Sequence, residues 1–260
     1  MENYNEKLDI LFKEWKEKSK ENGHDKFCPD GLMYKGETIL EEWNVWDLKN
    51  PGNESELWHN AKKRILFLCK DLNSKEEDGS ASTDEIRHRN GHKKGENLKA
   101  RFYRNMAYWL YGLCNIDKNG IAPKFETLTD EKITDFFDKT PFAYVNCKKE
   151  AGLESVSDTE LRHHIGLYKD FINKEIEILN PDIIVCGGTR RFFFDNNNNI
   201  YEPLEKFSEW IYFNQEQKKV VIASYHPSAW NISEEEIYTN MMIEYERFLK
   251  KHPNFQNYEK

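Results

Sequence analysis

"KRILFLC", residues 63–69, is an unbroken apolar run between charges. A strand with one wet face would alternate polar and apolar residues; a strand buried on both faces does not. The run therefore predicts a central strand of a parallel sheet with helices on both sides. Three further runs read the same way: "PFAYVN" (141–146), "PDIIVCGG" (181–188) and the strand opening "KKVVIASYHPS". Helical patterns separate them. "LKARFYRNMAYWLYGL" (98–113) has a thick aromatic face. "TDEKITDFFDK" opens on Thr129 or Asp130 as a cap, and "SDTELRHHIGLYKDFINKEIEIL" on Ser157 or Asp158. Ser233 caps a closing helix with glutamates in its first turn and Lys250 and Lys251 in its last. Strands alternating with helices predict a three-layer α/β/α fold around a central four-stranded parallel sheet.

Upstream, residues 5–21 carry Leu8, Leu11, Phe12 and Trp15 at helical spacing. "CPDG" and "NPGN" mark turns, with Trp43 and Trp46 between them expected in a core. The reading is one α/β domain over 1–260, with a helical and aromatic extension (1–61) and a core at 62–250. Residues 74–97, polar and dotted with glycine, predict a long functional loop, and the asparagines at 196–199 a surface loop.

The chain has 260 residues and no apolar run near the roughly 20 that a membrane span needs. Its charged, amphipathic start is no signal peptide, so a cytoplasmic protein without a membrane partner is expected. No obligatory protein partner is evident. Cys28, Cys69, Cys114, Cys147 and Cys186 are scattered without a C-x-x-C pair, and His163 and His164 are adjacent on a predicted helix, facing different sides. No disulfide, metal or cofactor is expected. The net charge of −8 speaks mildly against nucleic acid. Locally the balance reverses: "RHRNGHKKGENLKARFYR" holds Arg87, Arg89, Lys93, Lys94, Lys99, Arg101 and Arg104 against Glu96. That segment is either a DNA-facing patch or a solvated loop.

Ligands of open α/β sheets bind beyond the carboxyl ends of the strands. Here those ends carry Lys70, Asp71 and Asn73; Asn146, Lys148 and Lys149; Gly187 and Gly188; and Tyr225, His226, Pro227 and Ser228. Each also has an ordinary reading: Asp71 as a cap, Asn146 as a turn residue, the glycines as a tight turn, His226 as a surface histidine. G-x-S-x-G, G-x-G-x-x-G and P-loop motifs are absent.

In this order the strand ends resemble the uracil-DNA glycosylase superfamily over residues 62–250. "ILFLCKDLN" is similar to the family's strand ending in G-Q-D-P-Y, "FAYVNCKK" to the strand ending in a base-reading asparagine, "NPDIIVCGGTRRF" to the strand–glycine–helix segment, and "YHPSAW" to the H-P-S-P-L loop. The resemblance implies a glycosylase fold that flips a base from DNA and excises it. It implies that Asp71 stabilises the sugar cation and orients water, and that His226 donates to the departing base. Asn146 would read the base and Phe102 or Tyr103 would stack on it. Pro227 and Ser228 would brace the phosphates, with Gly187 and Gly188 at the DNA and Lys93, Lys94 and Arg101 as cationic contacts. Trp230 stands where the family has its wedge leucine, and ordinary packing is its other reading.

The first motif departs from the family: Cys69-Lys70-Asp71-Leu72-Asn73 lacks its glycine, proline and tyrosine. In uracil-specific members that tyrosine rejects a C5 methyl group. Asn73 in its place implies a pocket open at C5. The expectation is excision of a C5-modified pyrimidine, such as hydroxymethylated or glucosylated cytosine of phage DNA, in anti-phage defence. Ordinary uracil or mismatch repair, a non-catalytic DNA- or protein-binding member, and an enzyme of free nucleosides are the alternatives.

Overall fold

The computed structural model describes residues 3–33, 35, 38–42, 45–48, 52–72, 98–150, 156–194 and 200–256. The apolar run becomes β4, Ile65–Cys69, every residue of it buried. Ile65, Phe67 and Cys69 enter one core, while Leu66 and Leu68 enter another on the opposite face. That division is why the run does not alternate. At about 1.5–3 kcal/mol for each fully buried large side chain, neither face tolerates a polar residue.

Beside β4 runs β5, Ala143–Asn146, in parallel, with Cys69 opposite Asn146. On the other side lies β6, Ile183–Gly187, and next to it β9, Lys219–Ser224, both parallel. The sheet is larger than four parallel strands. Among the described residues it has seven, in the order β1-β5-β4-β6-β9-β8-β7. β1 (Gly31–Leu32) pairs antiparallel with β5. β8 (Ile211–Asn214) pairs antiparallel with β9, and β7 (Glu205–Lys206) with β8. The fold is thus α/β with a mixed sheet. The edge strands are two to four residues long, too short for a periodic signal. β2 (Thr38–Glu42) and β3 (Val45–Leu48) form a separate antiparallel pair.

One face is covered by α3 (Arg101–Cys114), α4 (Asp130–Lys139) and α7 (Glu234–Lys251). The other is covered by α1 (Tyr4–Glu21), α5 (Asp158–Leu179) and the short α6 (Arg190–Phe193). α2 (Glu54–Asn60) adds the fully buried Trp58 there. α1, β1 and α2 thus pack within this architecture rather than beside it. Thr129, Ser157 and Ser233 cap as expected, accepting from the N–H groups of Lys132, Glu160 and Glu236 at 3.3, 3.2 and 3.0 Å. The aromatic helix begins at Arg101 because Ala100 is extended. Trp43 and the asparagines at 196–199 lie outside the described residues, as does the side chain of Trp46. No helix among the described residues is long and apolar enough to cross a membrane.

The strand order positions the site. From β4 the chain moves outward to β5, then returns over the other face to β6 and continues away through β9. The direction reverses between β4 and β6, the switch point beyond whose carboxyl ends ligands of open α/β sheets bind.

Candidate active site at the carboxyl ends of the strands

Gly187 sits close between the end of β4 and the loop after β9. A Cβ there would lie 3.0 Å from Cδ of Pro227 and 3.2 Å from Sγ of Cys69. Gly188 has φ +75°, and its N–H donates to the Ser224 carbonyl at 3.0 Å. A Cβ on it would stand 3.4 Å from the His226 backbone nitrogen. Both glycines therefore let the His226 loop approach β4.

Asp71 follows β4 by two residues and is half-buried. Burial pushes its carboxyl up to about 6, against the opposing pull of Lys148 and Lys70. Among the described residues its Oδ2 has no hydrogen-bond partner. His226 moves the opposite way: burial, with Lys70 adding to it, lowers the imidazole to about 4. Its Nδ1 accepts the Ser228 N–H at 3.1 Å. The neutral ring therefore carries its proton on Nε2. Asp71 and His226 follow the parallel strands β4 and β9, so both stand at the same edge of the sheet, with β6 between them.

Asn146 is buried at the end of β5. Its N–H donates to Asp30 Oδ2 at 2.8 Å, and the other Asp30 oxygen accepts from Lys149. Lys149 also lies 2.7 Å from Glu175. Burial works to lower Lys149, but Asp30 and Glu175 outweigh it and raise its pKa, while burial pushes Glu175 well up. This buried charge set anchors the strand end that presents Asn146. The side chain of Asn146 hydrogen-bonds the Tyr144 hydroxyl, leaving Oδ1 without a partner among the described residues.

Of the two candidate aromatics, Phe102 is the one in contact with the His226 ring. The Phe102 ring lies 5.7 Å from that of His226 and 5.9 Å from that of Tyr144, with Tyr103 behind it at 5.2 Å. Asn105, one turn on, donates to the Pro227 carbonyl at 2.6 Å and ties α3 to the histidine loop. Asn105 Oδ1 and Ser224 Oγ join Asp71 and Asn146 as buried polar atoms lacking partners among the described residues.

Trp230 is 88% exposed, which excludes the packing reading. Pro227 is buried under the loop and Ser228 is exposed beside it. Arg101 is not a free cation: its Nη2 donates to the Ile232 carbonyl, bracing the loop beyond Trp230. Arg104 is likewise committed, to Glu234 at 2.5–3.0 Å. The buried Lys148 pairs with Glu160 at 3.0 Å, so its charge is balanced within the protein. Asn73, Lys93 and Lys94 lie outside the described residues.

Sequence reasoning missed Asn105, Tyr144 and Asp30. Tyr144 shares a strand face with Asn146 by two-residue spacing, and Asn105 is a polar residue inside an apolar helical stripe. Asp30 carries no sequence signal. Comparison with protein-family models and with curated proteins gives no match.

Proposed function

We propose that the protein is a DNA glycosylase that hydrolyses the bond between a flipped base and its sugar, leaving an abasic site. One observation carries this reading. A carboxyl raised by burial, an imidazole lowered by it and the buried Asn146 follow parallel strands and stand at one edge of the sheet. The Asp71 carboxylate faces the cation that develops on the sugar and accepts a proton from the attacking water. The electron pair of the C–N bond leaves on the base, where the Nε2–H of His226 donates to the carbonyl oxygen that gains charge. Asn146 offers a donor and an acceptor to a pyrimidine edge, and Phe102 offers a stacking face. The similarity of the four strand ends to uracil-DNA glycosylases supports the same roles.

The proposed substrate is a pyrimidine with a C5 substituent, such as hydroxymethylated or glucosylated cytosine, as an anti-phage defence enzyme would meet. Lys70, Asp71 and Leu72 lead into Asn73 where uracil-specific enzymes carry their excluding tyrosine. The test is single-turnover excision from matched oligonucleotides holding uracil, thymine, 5-hydroxymethylcytosine or its glucosylated form, followed by alkaline cleavage. Removal of a modified base is expected. Removal of uracil alone overturns the substrate class, and binding without cleavage of any of them overturns the enzyme. In the active case, Asn73→Tyr fills the C5 space. Overpacking costs about 1–3 kcal/mol, so the ratio of modified-base to uracil excision falls by about one to two orders of magnitude.

Trp230 supports the DNA reading because a large ring held in solvent is positioned to fill the gap left by a flipped base. Trp230→Ala is expected to slow excision from duplex DNA by about tenfold, the loss of roughly 1.4 kcal/mol of stacking. The loss shrinks when the target is mismatched or single-stranded, where flipping costs less. An equal loss on all three substrates assigns Trp230 a different role.

A further inference from the structure

We infer that His24, Glu150 and His164 form a binding site for a divalent transition-metal ion of the zinc class. The three come from different parts of the chain: His24 follows α1, Glu150 follows β5, and His164 lies on α5. One ligand atom from each lies within 4.8 Å of the other two. Ligands held 2.0–2.2 Å from a tetrahedral zinc stand about 3.3–3.6 Å apart. Side-chain rotations that move each tip by about 1 Å close that difference. Two imidazoles and a carboxylate are a donor set that zinc takes, with water in the fourth position.

The surroundings fit ligation better than a hydrogen-bonded histidine pair. The two imidazoles stack with centroids 4.5 Å apart and planes 26° from parallel. His164 is buried, and its Nε2 lies 3.7 Å from Glu150 Oε2, beyond hydrogen-bond reach. His24 Nδ1 lies 2.7 Å from the Tyr168 hydroxyl, which also receives the Asn22 amide at 3.1 Å. The His24 tautomer in which Nδ1–H donates to that hydroxyl leaves the Nε2 lone pair for a metal. The nearby cation, Lys148, is balanced by Glu160 at 3.0 Å. The adjacent His163 is exposed and stands outside the group.

An ion here would tie the segment after α1 to α5 and to the loop that leaves Asn146. Its role is structural, and it stands apart from the proposed excision. The full chain, stripped with chelator and exchanged into chelator-free buffer, is titrated with Zn²⁺ by calorimetry and with Co²⁺ by visible absorption. One ion per chain is expected, with tetrahedral Co²⁺ bands and a Tm rise of about 5 °C at saturating zinc. Glu150→Gln and His24→Ala each weaken binding by about 100-fold, Tyr168→Phe by about 10-fold, and His163→Ala leaves it unchanged. Circular dichroism verifies that each variant is folded. Failure of the folded, stripped chain to take up one equivalent overturns the site, as does an affinity unchanged in both Glu150→Gln and His24→Ala. Neither result depends on excision activity.

Discussion

Asp71→Asn is expected to slow single-turnover excision by about 10²–10⁴-fold while leaving the protein folded and somewhat more stable at pH 7. Both outcomes follow from one environment. Burial raises the carboxyl to about 6 from an ordinary 3.8, although Lys148 and Lys70 pull it down. The folded state therefore holds a proton that the unfolded state releases between those two values. Stability falls as pH rises through that window, and the whole cost is present at pH 7. An amide carries no charge to desolvate, so the variant regains on the order of 1 kcal/mol once solvent screening is allowed for. The reaction, by contrast, needs the ionised form facing the sugar. Wild-type excision should lose rate as pH falls below about 6, and the variant's residual rate should lack that limb. The checks are rate against pH and Tm at pH 7. Full-rate excision by Asp71→Asn removes the carboxylate from the mechanism, and a lost rate with a lowered Tm makes its role structural.

The parts of the fold that were legible are those where burial leaves a long one-dimensional trace. Ile65–Cys69, Ile183–Cys186 and the Val220–Ile222 stretch face a core on both sides, so polar residues are excluded at each position. Thr129, Ser157 and Ser233 were legible because a cap acts within three residues. β1 and β7 have two residues each and β8 has four; strands that short are defined by the neighbour they pair with, which periodicity does not encode. The edge strands turn an expected parallel sheet into a mixed one for that reason.

The site divides along the same line. Asp71, Asn146 and His226 were legible because strand ends converge in any parallel sheet, whatever the details of packing. What holds them was not. Asp30 reaches Asn146 across 116 positions of sequence, and Asn105 reaches Pro227 across 122. The loop that Gly187 and Gly188 admit was not legible either, because a glycine beside a ligand and one beside a protein loop look alike in sequence. The carbonyl to which Arg101 donates lies 131 positions away. Composition registers a cation; only the fold shows whether that cation is already engaged.

His226→Ala is the second large effect, an expected loss of about 10²–10³-fold in the excision step, the usual cost of removing one donor to a developing oxyanion. The donor is the neutral ring. Burial and Lys70 hold it down to about 4, and the Ser228 N–H occupies Nδ1, so Nε2 carries the proton throughout the physiological range. A neutral donor gives a rate that stays level from the Asp71 limb up to pH 8. A decline centred near the ordinary histidine value of about 6.5 would mean that the imidazolium acts instead. The size of the loss should also follow the leaving group. A base that bears negative charge easily, such as 5-fluorouracil in place of uracil, needs the donor less, so His226→Ala should cost it less. An equal loss for both bases, with weaker DNA binding, would instead mean that His226 shapes the loop carrying Pro227 and Trp230. Because His226 Nδ1 already accepts from Ser228, losing the ring frees one backbone N–H at an exposed position, a small structural change. A large kinetic loss from so small a structural one is the signature of a group acting at the reacting atoms.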